Sequence, residues 1–128
     1  MDVSILVTSD LPIAAERPMY FNYKGKWTGG HVGAPLTPST SLFFAEGYTG
    51  EGFEEWLCLA NPREEKAVAR VELLGVAGSL GSVEVEIPAR SRRTLNINEL
   101  AGAGVDVSIR WTSGIVRAVC SAMWLKYE

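Results

Sequence analysis

The residues best suited to binding chemistry stand in a glycine-rich stretch near the start of the chain. Trp27 and His31 belong to the run Trp-Thr-Gly-Gly-His, whose composition is typical of a polar loop. An aromatic side chain in such a loop can stack on a sugar ring or on the surface of a protein partner. A tryptophan that covers one edge of the hydrophobic core fits the same pattern, so both interpretations stay open.

Charged residues form a second candidate site. Glu16 and Arg17 are adjacent, so in a strand their side chains point to opposite faces and cannot pair with each other. Glu46 stands beside Gly47 at the end of another predicted strand, where it could meet Arg17 at the end of a sheet. Such a pair could hold a polar ligand, but we favour a structural ion pair, which is common in proteins. Tyr20, in the same phrase as Arg17, completes the candidate ligand or partner contacts.

The sequence carries none of the motifs that would indicate catalysis. Its glycine-rich runs lack the ending of a phosphate loop, and it has no serine elbow, no paired-histidine zinc motif and no spaced cysteine pairs. Cys58 and Cys120 lie in apolar runs, which predicts buried free thiols, with a disulfide as the alternative. Glu51, Glu54 and Glu55 could attract calcium, but solvated charge is the simpler interpretation. We expect no enzyme activity, no cofactor and no metal site.

Length and charge narrow the class of protein. The chain has 128 residues and a formal net charge of −3, which suits one domain with an ordinary core. The longest basic cluster is Arg90, Arg92 and Arg93, so we expect no nucleic-acid partner. Its apolar runs are too short for membrane insertion, and its start does not resemble a signal peptide. We expect a cytoplasmic protein if Met1 is the native start, and an extracellular or cell-surface one if the chain is excised from a larger protein.

Alternating apolar and polar residues predict an all-β chain. The run Trp56–Ala60 is apolar on both faces and indicates a central strand. Residues 64–74 have a helical composition but lie at hairpin spacing, so we predict a strand there, and a single helical turn at residues 98–101. The sequence therefore predicts a single antiparallel β-sandwich, Ig-like or jelly-roll-like, with about eight or nine strands and at most one short helical turn. The other strands are predicted at residues 3–8, 42–45, 83–87, 94–97, 107–112 and 116–127.

The first strands duplicate the last ones. When the chain is shifted against itself by 104 positions, residues 2–23 share nine identities in 22 positions with residues 106–127. Unrelated segments of this length would share about one or two. The sequence Asp-Val-Ser-Ile recurs intact, Met19 falls on Met123, and Tyr23 falls on Tyr127. We infer a true internal repeat, of the kind found in tandem arrays.

This duplication divides the single predicted domain, residues 1–128, into three parts. Residues 1–23 are a surplus N-terminal hairpin that duplicates residues 105–127, residues 24–40 are a linker or long loop, and residues 41–127 are the main sandwich. A hairpin with the apolar faces of a core strand pair must cover a sheet edge. We expect the edge to belong to its own sheet, with a neighbouring chain as the alternative.

Three phrases of the main sandwich resemble a known family. Phe43–Tyr48, Leu57–Pro62 and Ile87–Arg92, with Asn98-Glu99-Leu100 after them, resemble the sensory rhodopsin transducer family in order and spacing. The resemblance covers residues 39–127 and implies a small β-sandwich. That family supplies no catalytic residue to transfer to this sequence.

A second resemblance covers nearly the whole chain. Thr8-Ser9-Asp10, Ala15–Phe21 and Trp27–His31, followed by Ala45-Glu46-Gly47, resemble tandem β-sandwich repeats of large bacterial cell-surface proteins. These phrases are longer, so this resemblance has more weight. It implies a non-catalytic structural or adhesive repeat module of a bacterial surface or secreted protein, with neighbouring repeats or a homo-oligomer as partners and carbohydrate as a candidate ligand. The alternative is a cytoplasmic, transducer-like homo-oligomeric domain that binds a small ligand or a signalling protein.

Overall fold

The computed structural model describes residues 4–23, 25, 27–33, 39–114 and 119–125. These residues form mostly antiparallel strands with one short helix, which confirms the predicted all-β sandwich. No helix in these ranges is long and apolar enough to cross a membrane. The elements are β1 (Arg17–Tyr23), β2 (Trp27–Gly33), β3 (Ser41–Phe44), β4 (Phe53–Asn61), β5 (Ala67–Gly75), β6 (Gly78–Ile87), β7 (Ser91–Asn96), α1 (Ile97–Ala101), β8 (Ser108–Ser113) and β9 (Val119–Leu125).

The chain divides into two compact units, Met1–Leu36 and Thr37–Glu128. In the first unit, β1 and β2 form a two-stranded antiparallel sheet. Gly25 lies in the connecting turn with a φ of 72°, a left-handed conformation that glycine adopts without strain. Along β1, half-buried residues alternate with exposed ones, and Tyr20 is 86% exposed.

Two local expectations for the first unit differ from the structure. Residues 4–8, predicted as a strand, form none, because no strand among the described residues pairs with them. Ile5, Leu6 and Val7 are therefore largely exposed. The stretch predicted as a linker contains β2, which pairs with β1 over its whole length. The glycines of β2 led to the prediction of a loop, since glycine has a low strand propensity.

The second unit consists of two antiparallel sheets. One has the strand order β3-β8-β5-β6, and the other has the order β7-β4-β9. The hydrophobic core contains side chains from both sheets. Its fully buried members include Leu57 and Leu59 from β4, Ile87 from β6, and Ile109 and Trp111 from β8.

The strand predicted over residues 64–74 is confirmed by β5. Ala67, Ala69, Val71 and Leu73 are each at most 5% exposed, whereas the residues between them face away from the core. β5 pairs with β6 along one edge and with β8 along the other. Two hydrogen-bonded edges and a buried face outweigh the helical propensity of this sequence.

β4 is the central strand of its sheet, as predicted for Trp56–Ala60. Its core-facing side chains form a fully buried row, Glu55-Leu57-Leu59-Asn61, in which each residue is at most 2% exposed. We call these four residues the buried row. Two polar side chains therefore lie at the ends of an apolar pair, where each requires hydrogen-bond partners.

Cys58 is less buried than the sequence predicted. It lies on the opposite face of β4 from the buried row, is half-buried, and is a free thiol. Its Sγ lies 3.2 Å from Nη2 of Arg92 on β7. The register of β4 and β9 places Cys120 opposite Cys58, but the side chain of Cys120 lies outside the described residues.

Asn61 closes one end of the buried row and has its hydrogen bonds satisfied. Its Nδ2 donates to the carbonyl of Glu65 at 2.7 Å and to that of Pro88 at 3.1 Å. Its Oδ1 accepts from the backbone N–H of Arg63 at 3.1 Å. One side chain therefore ties the end of β4 to the loops that follow β4 and β6.

We expect Asn61→Ala to lower the free energy of unfolding by about 2–3 kcal/mol, because it removes the amide donor of the buried Ile87 carbonyl and of two part-buried carbonyls. Arg63→Ala is the matched control, since its guanidinium makes only a partly exposed 3.7 Å pair with Glu65; its effect should be close to zero. Urea denaturation measures both. Equal effects of the two substitutions would contradict this account of Asn61.

Candidate functional site

A shallow, open cleft of about 550 Å³ lies where β3 and β5 end and β8 begins. Three segments line it: Ala45–Tyr48, Leu74–Val76 and Asp106–Ser108. We call it the end cleft. These strands are antiparallel neighbours in one sheet, so the segments that follow or precede them meet at the same sheet end.

Hydrogen bonds fix two of these segments against each other. The backbone N–H of Val107 donates to the carbonyl of Gly47 at 2.9 Å. The hydroxyl of Ser108 donates to the carbonyl of Ala45 at 2.8 Å. Tyr48 and Asp106 form an isolated antiparallel bridge. One wall of the end cleft is therefore held in place by its own backbone.

Thr49 anchors the same wall from inside the protein. This residue is 2% exposed, and its hydroxyl donates to the carbonyl of Gly102 at 2.6 Å. Its backbone N–H donates to the carbonyl of Val105 at 3.0 Å. The segment that follows α1 is thereby tied to the segment that precedes β4.

The helix α1 supplies a second anchor, which confirms the single helical turn predicted there. Asn96 caps the helix by accepting from the N–H of Asn98 at 3.0 Å. Asn98 in turn accepts from the backbone N–H of Glu55 at 2.8 Å through Oδ1. Its Nδ2 donates to the carbonyls of Phe53 and Thr49 at 2.9 and 3.2 Å. This one amide positions the start of β4 and the buried Glu55.

Glu55 is the unusual group of the region. Its carboxylate abuts Gly47, which lines the end cleft, so closely that a Cβ at Gly47 would collide with it. Oε2 is buried and has no hydrogen-bond donor within reach among the described residues. Burial raises the pKa of Glu55 to about 7, because the charged form loses its hydration. Protonation of this carboxyl therefore extends to much higher pH than for an ordinary glutamate.

The end cleft itself is acidic. Among its lining residues the charged side chains are the exposed carboxylates of Glu46 and Asp106. Tyr48 is 36% exposed, and its ring packs edge-to-face on Phe53 with centroids 5.0 Å apart. Carboxylates accept hydrogen bonds from hydroxyl and ammonium groups, and an aromatic ring adds an apolar contact. Within the described ranges no three His, Cys, Asp or Glu side chains are grouped to hold a metal ion.

The residues that the sequence selected belong to both units. Glu46 lines the end cleft in the second unit. Glu16 precedes β1, Arg17 begins it, and Tyr20 lies within it; Trp27 and His31 lie on β2. The side chains of Trp27 and His31 are outside the described residues. The hairpin register places His31 opposite Met19 and Trp27 opposite Tyr23. The proposed pairing of Arg17 with Glu46 stays a prediction.

Sequence reasoning missed four residues of this region. Tyr48, Asp106 and Ser108 are far apart in sequence and meet only through the strand order. Solvated charge was the wrong expectation for Glu55, which is 2% exposed. A signal for it was present, because Glu55 shares the parity of Leu57 and Leu59 along β4.

Stability should depend on pH through Glu55. Its folded-state pKa of about 7 exceeds its ordinary value of 4.5, so the folded state binds the proton more tightly. Its contribution to stability is therefore full below about pH 4.5 and is lost as the pH rises through 7. Glu55→Gln should remove this part of the pH dependence, on the order of 3 kcal/mol across that window. Denaturant titrations at pH 5 and 8, with the exposed Glu51→Gln as control, measure it; unchanged pH dependence in Glu55→Gln would refute the assignment.

Gly47 should tolerate no side chain. We expect Gly47→Ala to lower the free energy of unfolding by about 2 kcal/mol or more, because its Cβ meets the Glu55 carboxylate. In a Glu55→Ala background the same substitution should cost much less. Gly114→Ala, where a Cβ meets no atom within 4 Å, is the control. A double-mutant cycle with no coupling between positions 47 and 55 would contradict the contact.

Comparisons with known proteins agree with this fold. The Anabaena sensory rhodopsin transducer superimposes with a TM-score of 0.59 at 21% identity, over 66% of this chain and 95% of that one. A Thermotoga maritima protein, 1070, gives 0.57 at 22% identity, over 70% and 93%. At these identities the likeness concerns the fold, and it confirms that part of the predicted resemblance. No curated protein matches significantly. A family of unknown function, DUF5719, matches residues 5–127, and the chain belongs to that family.

Proposed function

We propose that this protein is a non-catalytic binding module whose end cleft takes a small ligand with hydroxyl or ammonium groups. The observation that carries the proposal is the pair of exposed carboxylates, Glu46 and Asp106, in one cleft beside the Tyr48 ring. Both carboxylates can accept charge-assisted hydrogen bonds, while the ring packs on an apolar face of the ligand. Because the cleft is open, a ligand bound there keeps part of its surface in water.

A binding role fits the cleft better than a catalytic one. The Ser108 hydroxyl already donates to the carbonyl of Ala45 and has no imidazole or amine beside it in the cleft lining. Glu55 has the raised pKa of a general acid or base, but it lies beneath Gly47 and does not line the cleft. A proton carrier that substrate cannot reach does not support catalysis.

The fold likeness supports a sensory variant of this proposal. The Anabaena neighbour is named as a transducer of a sensory rhodopsin. By analogy, this chain would be a homo-oligomeric domain of the cytoplasm that passes the state of its end cleft to a signalling protein. The likeness concerns the fold alone, so the ligand class follows from the residues of the cleft and not from the neighbour.

A second candidate function is a structural or adhesive repeat of a bacterial surface protein. The duplication of residues 2–23 in residues 106–127 favours it, because tandem arrays bury such faces between neighbouring repeats. In that setting the protein is extracellular or on the cell surface, and carbohydrate is the candidate ligand. An open reading frame with further copies of the Glu-Arg-Pro-Met-Tyr-Phe phrase upstream supports this candidate, and a frame without them counts against it.

Ligand titration tests the cleft directly. We expect amide resonances of residues 45–48 and 106–108 to shift when neutral sugars or small polyamines are added, and one class to bind more tightly. Glu46→Gln and Asp106→Asn should each weaken binding about tenfold or more, since each removes a charged acceptor. Glu84→Gln, on the exposed face of β6, should have no effect. Absence of shifts in these residues with both classes would overturn the proposal.

A further inference from the structure

Residues 2–23 repeat the sequence of strands that belong to the sandwich, but their apolar side chains are not all buried. In the repeat alignment, Ile5 falls on Ile109 and Val7 falls on Trp111. Ile109 and Trp111 are 1% and 0% exposed in β8, whereas Ile5 and Val7 are 73% and 58% exposed. Equivalent positions are therefore buried in one copy and in water in the other. Because β8 already fills the buried positions at the centre of its sheet, the part of the duplicated segment that can be exchanged is the one aligned with the edge strand β9.

The same alignment places Arg17 at a strand position close to the buried carboxyl of Glu55. In the register of β4 and β9, Met123 stands opposite Glu55 and Ser121 stands opposite Leu57. The first copy keeps the methionine as Met19 but has Arg17 in place of Ser121. A residue at the Ser121 position is diagonal to Glu55 on the core face, at about 7–8 Å, within reach of a long side chain. Arg17 in this place would give Oε2 of Glu55 the donor it lacks among the described residues.

We propose that β1 (Arg17–Tyr23) of one copy replaces β9 at the edge of the sandwich of a second copy, with Arg17 beside Glu55. The occupant is a second copy of the chain because β1 repeats the strand that now holds this edge. The pairing of Glu55 favours the exchange, and β8 keeps its central place with Ile109 and Trp111 buried. The inference goes beyond recognition at the end cleft and can fail independently of it.

The strand order accommodates the exchange. β9 lies at the edge of its sheet and pairs only with β4 among the described strands. A donated β1 can therefore pair with β4 through one edge and keep β2 on its other edge. A two-stranded sheet alone is only marginally stable in water, so joining a larger sheet stabilises it. One segment donated to one site is a head-to-tail contact, which extends into rings or filaments.

Disulfide trapping in the full chain tests the register. Position 16 corresponds to Cys120, whose register partner is Cys58. Residues opposite each other on antiparallel strands have Cα atoms about 4.5–5.5 Å apart, which a disulfide can span. We would compare Glu16→Cys with Ala15→Cys, which points to the other face, both in a Cys120→Ser background. Each variant is oxidised and its mass is measured without reduction.

The proposal predicts a covalent dimer or larger species for Glu16→Cys, linked between positions 16 and 58, and much less for Ala15→Cys. It is overturned by equal linking from both positions, by no linking, or by a 16–58 link within a single chain. That last result would place the segment on its own sheet.

Sedimentation equilibrium of the unmodified chain gives a second test that needs no engineered cysteine. We expect association that grows with concentration. Arg17→Ala should raise the dissociation constant about tenfold or more. Val68→Ser, at an exposed apolar residue of β5 outside the duplicated segment, should leave it unchanged. A chain that stays monomeric at every concentration, or equal effects of the two substitutions, would refute the exchange.

Discussion

The buried row of β4 is the constraint on which the rest of the structure depends. Strand alternation forces Glu55 and Asn61 to share a face with Leu57 and Leu59, so two polar groups enter the core with the apolar pair. Their surroundings then differ. Asn61 finds carbonyl acceptors and a backbone donor at one end of the row, whereas Oε2 of Glu55 finds no donor among the described residues at the other. Asn61 therefore has a purely structural role, whereas the carboxylate of Glu55 is left with a buried oxygen that accepts no hydrogen bond from the described residues.

The buried carboxylate of Glu55 lies directly beneath the end cleft. Asn98 holds the backbone of Glu55, and Gly47 separates its carboxylate from the cleft. The carboxyl has a pKa near neutrality because of burial alone. A buried acid of this kind destabilises the folded state when it ionises, so it persists only where something else compensates. Fold, cleft and assembly are connected through this side chain.

Sequence patterns predicted the fold well in strands whose alternate residues are buried. β5 is a strand despite its helical composition, because every second residue of it, from Ala67 to Leu73, is buried in the core of the sandwich. The same logic misled at residues 4–8, which alternate equally well but have no partner strand among the described residues. An alternating pattern shows which side chains a strand would bury, but it does not show whether a neighbouring strand is present to pair with it. In the end cleft, Glu46 was also selected from the sequence, but Asp106 and Ser108 join it only through the strand order, which no local pattern encodes.

The most direct measurement of the central claim is the pKa of Glu55 itself, followed by carboxyl ¹³C NMR in the intact chain under dilute conditions. The account predicts titration near 7, well above the ordinary glutamate value of 4.5, because burial removes the hydration of the charged carboxylate. At high protein concentration the pKa should fall as Arg17 of a second copy arrives. A Glu55 that titrates near its ordinary 4.5 in the dilute chain would contradict the account.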